Sequence, residues 1–271
     1  MATGHGGKDV YLNSLEMIDL SDECRASLLG YPIPLAKSTG LFIDDKIVIC
    51  GGERNTDMKC IKECYQLKNS YDSFELVYSM KEERVAPKSI SLQGSMLVTG
   101  GQGSWNCDLE PSDTGEYINL QFGNNSAPKP DIKMPEPFGG HSLIKINESM
   151  VFLSGGVTSW IADHNFVKRT YYWNINNNEW KRGPDLKIGR IAHNSGVLID
   201  HATNTKIVAV VGGEPHCCDG VAIDSVELLI QGQNDWITGI EFLYSFESSK
   251  IPKILQKLFC RSTFTQSTYP P

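Results

Sequence analysis

The stretch Lys46-Ile-Val-Ile-Cys50, followed at once by Gly51-Gly52, decides the fold. It is a short apolar run closed by a diglycine, and it returns three times. Ser95-Met-Leu-Val-Thr99 precedes Gly100-Gly101, Ser149-Met-Val-Phe-Leu-Ser154 precedes Gly155-Gly156, and Lys206-Ile-Val-Ala-Val-Val211 precedes Gly212-Gly213. A further pair, Gly6-Gly7, opens the chain with no such run before it. The first glycines of successive pairs stand 45 to 57 residues apart. A period of this length, built from short strands, points to a radial β-propeller whose blades bury their faces only against one another.

The diglycine has a physical role in such a blade. A strand buried on both sides reads as a continuous apolar run. At its end the chain must leave the sheet where neighbouring blades crowd, and glycine removes Cβ and admits positive φ. The eight glycines 51, 52, 100, 101, 155, 156, 212 and 213 are therefore structural. Each apolar run is preceded by a second strand, the two joined at a tight turn such as Asp44-Asp45 or Gln93-Gly94. Outside these hairpins the pattern predicts strands over 14–20, 60–67, 74–79, 114–120, 130–133, 168–175 and 179–181. The inner hairpins are predicted over 36–50, 86–99, 140–154 and 191–211, and residues 21–34 read as a connection. No i, i+3, i+4 apolar stripe competes with the strand reading.

Composition narrows the function classes. The chain has 271 residues, 40% hydrophobic and 21% charged, with a net charge of -7. An acidic chain of this kind argues against nucleic acid or an anionic membrane surface as partner. No run of 18 apolar residues predicts membrane insertion. The eight cysteines, at 24, 50, 60, 64, 107, 217, 218 and 260, match no zinc template. They read either as buried free thiols or as disulfides of an oxidising compartment. Cys50 ends a second strand and Cys64 lies on the third strand of the same blade, so these neighbours offer a disulfide. Two sequons, Asn124-Asn-Ser126 and Asn147-Glu-Ser149, lean toward an extracellular glycoprotein, with a cytoplasmic location left open.

The repeats resemble the kelch motif: an apolar strand ending in Gly-Gly, then a strand carrying Tyr, then Trp about seven residues on. The unit with Trp173, Trp180 and Gly183-Pro184 fits best, and Leu229 with Trp236 gives a second such spacing. Arg190-Ile-Ala-His-Asn-Ser195 and Gly139-Gly-His-Ser142 resemble the start of the next inner strand. The resemblance spans about residues 6–239 and assigns Trp180 and Trp236 to the framework. It implies an all-β kelch-type propeller of four to five four-stranded blades over residues 1–239. A divergent tail, 240–271, follows. Ring closure is left open between two explanations: a piece of a longer propeller, or a tail that pairs with the first strands.

Kelch propellers are typically platforms for protein partners, so the resemblance implies a non-catalytic interaction module without cofactor or metal. Two alternatives stand beside it: the substrate-recognition part of a cullin ubiquitin-ligase adaptor, and a galactose-oxidase-like or other carbohydrate-acting enzyme. No nucleophile elbow or phosphate loop is present. The equivalent His141 and His193 read as framework residues. The loops behind the diglycines offer the binding candidates Arg54, Asn55, Trp105, Asp108, Trp160, His164 and His216, since variable loops on a rigid scaffold carry recognition. Arg84 and Arg190, ahead of inner strands, are expected to reach the same face or to form salt bridges between blades.

Overall fold

A computed structural model describes residues 14–19, 25–30, 35–54, 59–68, 73–92, 94–101, 110–119, 130–159, 166–215 and 222–238. These residues form an all-β structure. A hairpin of β1 (Ser14–Asp19) and β2 (Arg25–Gly30) comes first. The two-residue strands β3 (Leu35–Ala36) and β6 (Glu53–Arg54) pair with each other. Four antiparallel four-stranded sheets make the blades. Blade I holds β4 (Thr39–Ile43), β5 (Lys46–Cys50), β7 (Glu63–Leu67) and β8 (Phe74–Ser79). Blade II holds β9 (Lys88–Leu92), β10 (Ser95–Thr99), β11 (Thr114–Ile118) and β12 (Ile132–Lys133). Blade III holds β13 (Ser142–Asn147), β14 (Met150–Ser154), β15 (Thr170–Asn174) and β16 (Glu179–Arg182). Blade IV holds β17 (Asn194–Asp200), β18 (Thr205–Val211), β19 (Val226–Ile230) and β20 (Ile237–Thr238).

In every blade the diglycine follows the second strand, and in blades I–III it works in two directions. The first glycine donates its N–H within the blade: Gly51 to Glu63, Gly100 to Thr114, Gly155 to Arg169 and Gly212 to Ser225. The second donates to the carbonyl just ahead of the next blade: Gly52 to Arg84, Gly101 to Phe138 and Gly156 to Arg190. Gly100 shows why no side chain fits. Its φ is +54°, and a Cβ would stand 2.3 Å from the Phe138 carbonyl oxygen.

A second set of backbone bonds runs from blade to blade nearer the axis. Ala86 N–H donates to Lys37 O at 2.7 Å, Gly140 N–H to Ala86 O at 3.2 Å, and Ala192 N–H to Gly140 O at 2.9 Å. All four residues have positive φ, from 51° to 60°. This belt explains where the predicted inner strands are too long. Residues 86, 140 and 192 are expected inside strands, but with their left-handed backbone each strand begins only two residues after them, at Lys88, Ser142 and Asn194. A second correction concerns 25–30, read as connection and found as β2. The Asp44-Asp45 turn has positive φ at both residues, as a two-residue hairpin requires.

The innermost strands β4, β9, β13 and β17 pack side by side in that order. Three apolar seams lie between the blades. Seam I/II contains Ile43, Val48, Met96, Val98 and Ile118. Seam II/III is the largest, with Leu97, Phe138, Leu143, Leu153 and Trp173 among its members. Seam III/IV gathers Phe152, Leu186, Val208, Val210, Leu229 and Trp236. Each fully buried side chain of this type contributes roughly 1.5–3 kcal/mol. Trp180 stacks on its cross-strand partner Trp173 at 5.5 Å, and Trp236 donates its indole N–H to Pro184 O. Cys50 and Cys64, register partners on β5 and β7, are disulfide-bonded, and Cys60 is disulfide-bonded as well.

Candidate functional site at the axial ends of the innermost strands

The belt residues hold the next side chains of each inner strand at the axis. There the seams become polar. Thr39 Oγ1 and Ser89 Oγ are hydrogen-bonded at 2.8 Å between blades I and II. His141 Nε2 meets Thr99 Oγ1 at 3.0 Å between blades II and III. His193 Nε2 meets Ser154 Oγ at 3.0 Å between blades III and IV, and Ser154 also contacts Ser195 Oγ at 3.2 Å. Lys88 opens β9 beside this row. Lys37 pairs with the buried Glu53 at 2.9 Å next to Arg54.

The histidine chemistry follows from burial. His141 and His193 are 0% and 1% exposed. Burial, reinforced for His141 by Lys88 and Arg84, pushes the His141 pKa down to about 3. Burial, with Arg190 and Lys88 next in weight, holds His193 well below its ordinary value. Both rings are neutral at neutral pH. Thr99 Oγ1 donates to Lys88 O at 3.3 Å, so it accepts from His141 Nε2–H. The Nδ1 atoms of both rings make no hydrogen bond among the described residues. The histidines tie one blade to the next and do not reach solvent.

Arg84 and Arg190 are not surface residues: they are 2% and 0% exposed. Each is spent inside the blade it precedes. Arg84 Nη1 donates to Gly100 O at 2.7 Å and to Thr114 O at 3.2 Å, and Nη2 to Thr114 Oγ1 at 2.7 Å. Its Nε stands 3.8 Å from the Glu116 carboxylate. Arg190 Nη1 donates to Gly212 O at 2.8 Å, and Nη2 reaches Glu227 at 2.5 Å. Burial dominates both members of the first pair, pushing Arg84 down and Glu116 up. The expected reach to the loop face is therefore corrected: these guanidiniums satisfy the diglycine carbonyls, and the ion pairs they form lie within the blade they precede rather than between blades.

Among the other candidates, Arg54 is half-buried on β6, its backbone paired with Leu35 and hydrogen-bonded to Lys59. Asn55, Trp105, Asp108, Trp160, His164 and His216 lie outside the described residues, as do the tail from Gly239 onward and the Gly6-Gly7 pair. Residues that the sequence did not single out are Lys88, Glu116 and Glu227. The two glutamates had a signal: each stands two residues after Thr114 or Ser225, and only in the blades preceded by arginine. Among the described residues, no group of three His, Cys, Asp or Glu could hold a metal. No helix among them is long and apolar enough to cross a membrane.

The strand order, the diglycine placement and the tryptophan stacking decide the fold. This is a β-propeller, and its diglycines and paired tryptophans are similar to those of kelch repeats. No known family profile matches the chain. Among curated proteins it is similar to N-acetylneuraminate epimerases. The protein from Salmonella enteritidis PT4 is 27% identical over 146 residues, covering 52% of this chain and 36% of that protein. The Salmonella arizonae protein is 26% identical over 170 residues, covering 57% and 42% respectively. The Salmonella typhimurium LT2 protein is 28% identical over 146 residues. The chain thus spans roughly two fifths of the length of the curated relatives it matches. These matches correct the expectation of a non-catalytic interaction module, because the relatives are named as enzymes. Sequence reasoning discounted catalysis because it searched for local motifs. Residues brought together from neighbouring blades, as in the row at the axis, leave no such motif.

Proposed function

We propose that the chain is the propeller portion of a carbohydrate-acting enzyme, with its sugar site at the axial ends of the innermost strands. The observation that carries this reading is the similarity to N-acetylneuraminate epimerases over 146 to 170 residues. The geometry is compatible with it. Ser89 and Lys88 keep partial exposure, and the hydroxyls of Thr39, Thr99 and Ser154 are buried and hydrogen-bonded in the row behind them. Hydroxyls and a cation are groups suited to sugar recognition in a concave site. The buried histidines are kept out of the acid–base roles, since a catalytic base must come within hydrogen-bond reach of the proton it moves.

The test is direct. The protein is incubated with N-acetylneuraminate and with neutral hexosamines, and stereochemical interconversion is followed by proton NMR. Binding is read in the same tubes by saturation transfer. The expected result is saturation transfer to N-acetylneuraminate, with interconversion faster than in buffer. Silence toward every sugar in both readouts would sink the carbohydrate reading.

We also place the chain in an oxidising compartment. The bonded state of Cys50, Cys64 and Cys60 supports this, since reducing compartments keep such thiols open. Alkylation of native material without reductant should leave these three unlabelled; labelling of Cys50 or Cys64 would contradict it.

A further inference from the structure

We infer that Lys88 is a recognition residue for the carboxylate of an acidic sugar, seated where seam II/III meets the axis. This deepens the carbohydrate reading and rests on it. Lys88 is the first residue of β9, opposite Thr99. Along β9, Ser89 bonds Thr39 on the blade I side, while Ile90 and Leu92 pack into seam II/III. Alternation along a strand puts Lys88 on the same side as Ile90 and Leu92. The Thr99 hydroxyl links its carbonyl to His141, so the lysine lies where the two blades meet.

The ammonium there lacks a counterion. It is half-buried, and among the described residues no carboxylate pairs with it and no hydrogen bond satisfies it. Burial alone pushes its pKa down, and its charge is felt by both His141 and His193. Removing a cation from water without a partner is costly. The repeat does not demand the cost: the equivalent positions are Thr39, Ser142 and Asn194, all neutral. The other cations of the region are committed, Lys37 to Glu53, Arg84 to Gly100 and Arg190 to Glu227. Among the described residues of this region, Lys88 is the cation left open, and one positive charge matches one carboxylate. The two neutral imidazoles beside it add no competing negative charge.

The test compares wild type, Lys88→Met and Lys88→Arg. Met keeps the length of the stem and fills the seam without charge. Each protein is titrated with N-acetylneuraminate, its methyl ester and neutral N-acetylmannosamine, with unfolding curves as the fold control. Wild type should prefer the acid over the ester by about tenfold or more, the worth of one charge-assisted hydrogen bond. Lys88→Met should lose that preference and Lys88→Arg keep it. An acid preference that survives in Lys88→Met overturns the assignment while leaving the carbohydrate reading intact. If no sugar binds, the carbohydrate reading falls and acetate decides the site. The lysines are then labelled by reductive ¹³C-methylation, and the resonance missing in Lys88→Arg is followed. A shift toward higher pKa with acetate retains the anion site; an unmoved resonance overturns it.

Discussion

Seam II/III differs from the seams on either side of it. In seams I/II and III/IV the lead-in to the new blade carries an arginine, Arg84 or Arg190, and the third strand answers with Glu116 or Glu227. In seam II/III the same two places hold Phe138 and Tyr171, packed edge to face with centroids 6.0 Å apart. The exchange is complete rather than partial, and a third position explains it. Glu116 accepts the N–H of Lys81, and Glu227 accepts those of Lys187 and Ile188. The place of Lys81 and Lys187 in the lead-in to blade III is taken by Pro135, which has no N–H to give. A carboxylate there would lose a donor, so the aromatic pair is the consistent solution. The contrast teaches that the blade repeat conserves geometry and lets whole interaction sets change together.

The largest effect is expected from breaking the ionic seams on one side only. Arg190→Met leaves Glu227 buried without its partner and should cost about 3–5 kcal/mol in urea unfolding. Arg84→Met should cost less, since Arg84 Nε stands farther from Glu116 than Arg190 Nη2 from Glu227. A loss below about 1 kcal/mol for Arg190→Met would show that the pair does not matter. Importing the ionic set into seam II/III comes next. The double variant Phe138→Arg with Tyr171→Glu should remain destabilised by roughly 2 kcal/mol or more, because Pro135 leaves the carboxylate short of a donor. Wild-type stability for that variant would remove the role given to Pro135.

Seam I/II also carries the Cys50–Cys64 disulfide, with a sequence separation of 14. Mild reduction should lower stability by about 3 kcal/mol, the chain-entropy value for a loop of that size. Calorimetry of Cys50→Ala with Cys64→Ala checks it. A smaller effect distinguishes the histidine-bearing seams by pH. His141 and His193 have folded pKa values below their ordinary value of 6.5, so the unfolded chain binds more protons. Stability is therefore full above about 6.5 and falls on acidification toward the folded values, approaching about 1.4 kcal/mol per pH unit for each ring. Replacing both by Gln should flatten the acid limb; an unchanged slope would assign it to carboxylates. The smallest effect has the opposite sign. The lowered pKa of Lys88 means that its charge destabilises the fold below that pKa and ceases to do so as pH rises toward the unfolded value. Lys88→Met should raise the melting temperature slightly at neutral pH, and a fall would contradict the unpartnered state.

Much of this architecture is written in residue type. The four diglycine runs and their hairpins fix blades I–IV, because a doubly buried strand and a crowded turn each leave a strong signature. The belt is less legible. Gly140 advertises a left-handed backbone, but Ala86, Ala192 and Lys37 do not, and only the blade-to-blade bonds hold them there. The burial of Arg84 and Arg190 was hidden for a similar reason: arginine reads as a surface residue until its carboxylate is found one strand away. Pairing Arg84 with Glu116 and Arg190 with Glu227 across repeats, and noting their joint loss with Phe138 and Tyr171, would have revealed it. Lys88 carries no local signal, since its meaning lies in what the other blades place at the same position.

The belt has an electrostatic consequence. Its three N–H groups all point in one rotational sense, from Ala192 to Gly140, from Gly140 to Ala86 and from Ala86 to Lys37. The peptide dipoles therefore lie along the circumference and add no strong field along the axis, unlike those of a helix, which sum along its length. The sign of the potential at the mouth is left to side chains at the first position of each inner strand. A single exchange there can reset what the mouth attracts without disturbing the backbone that frames it.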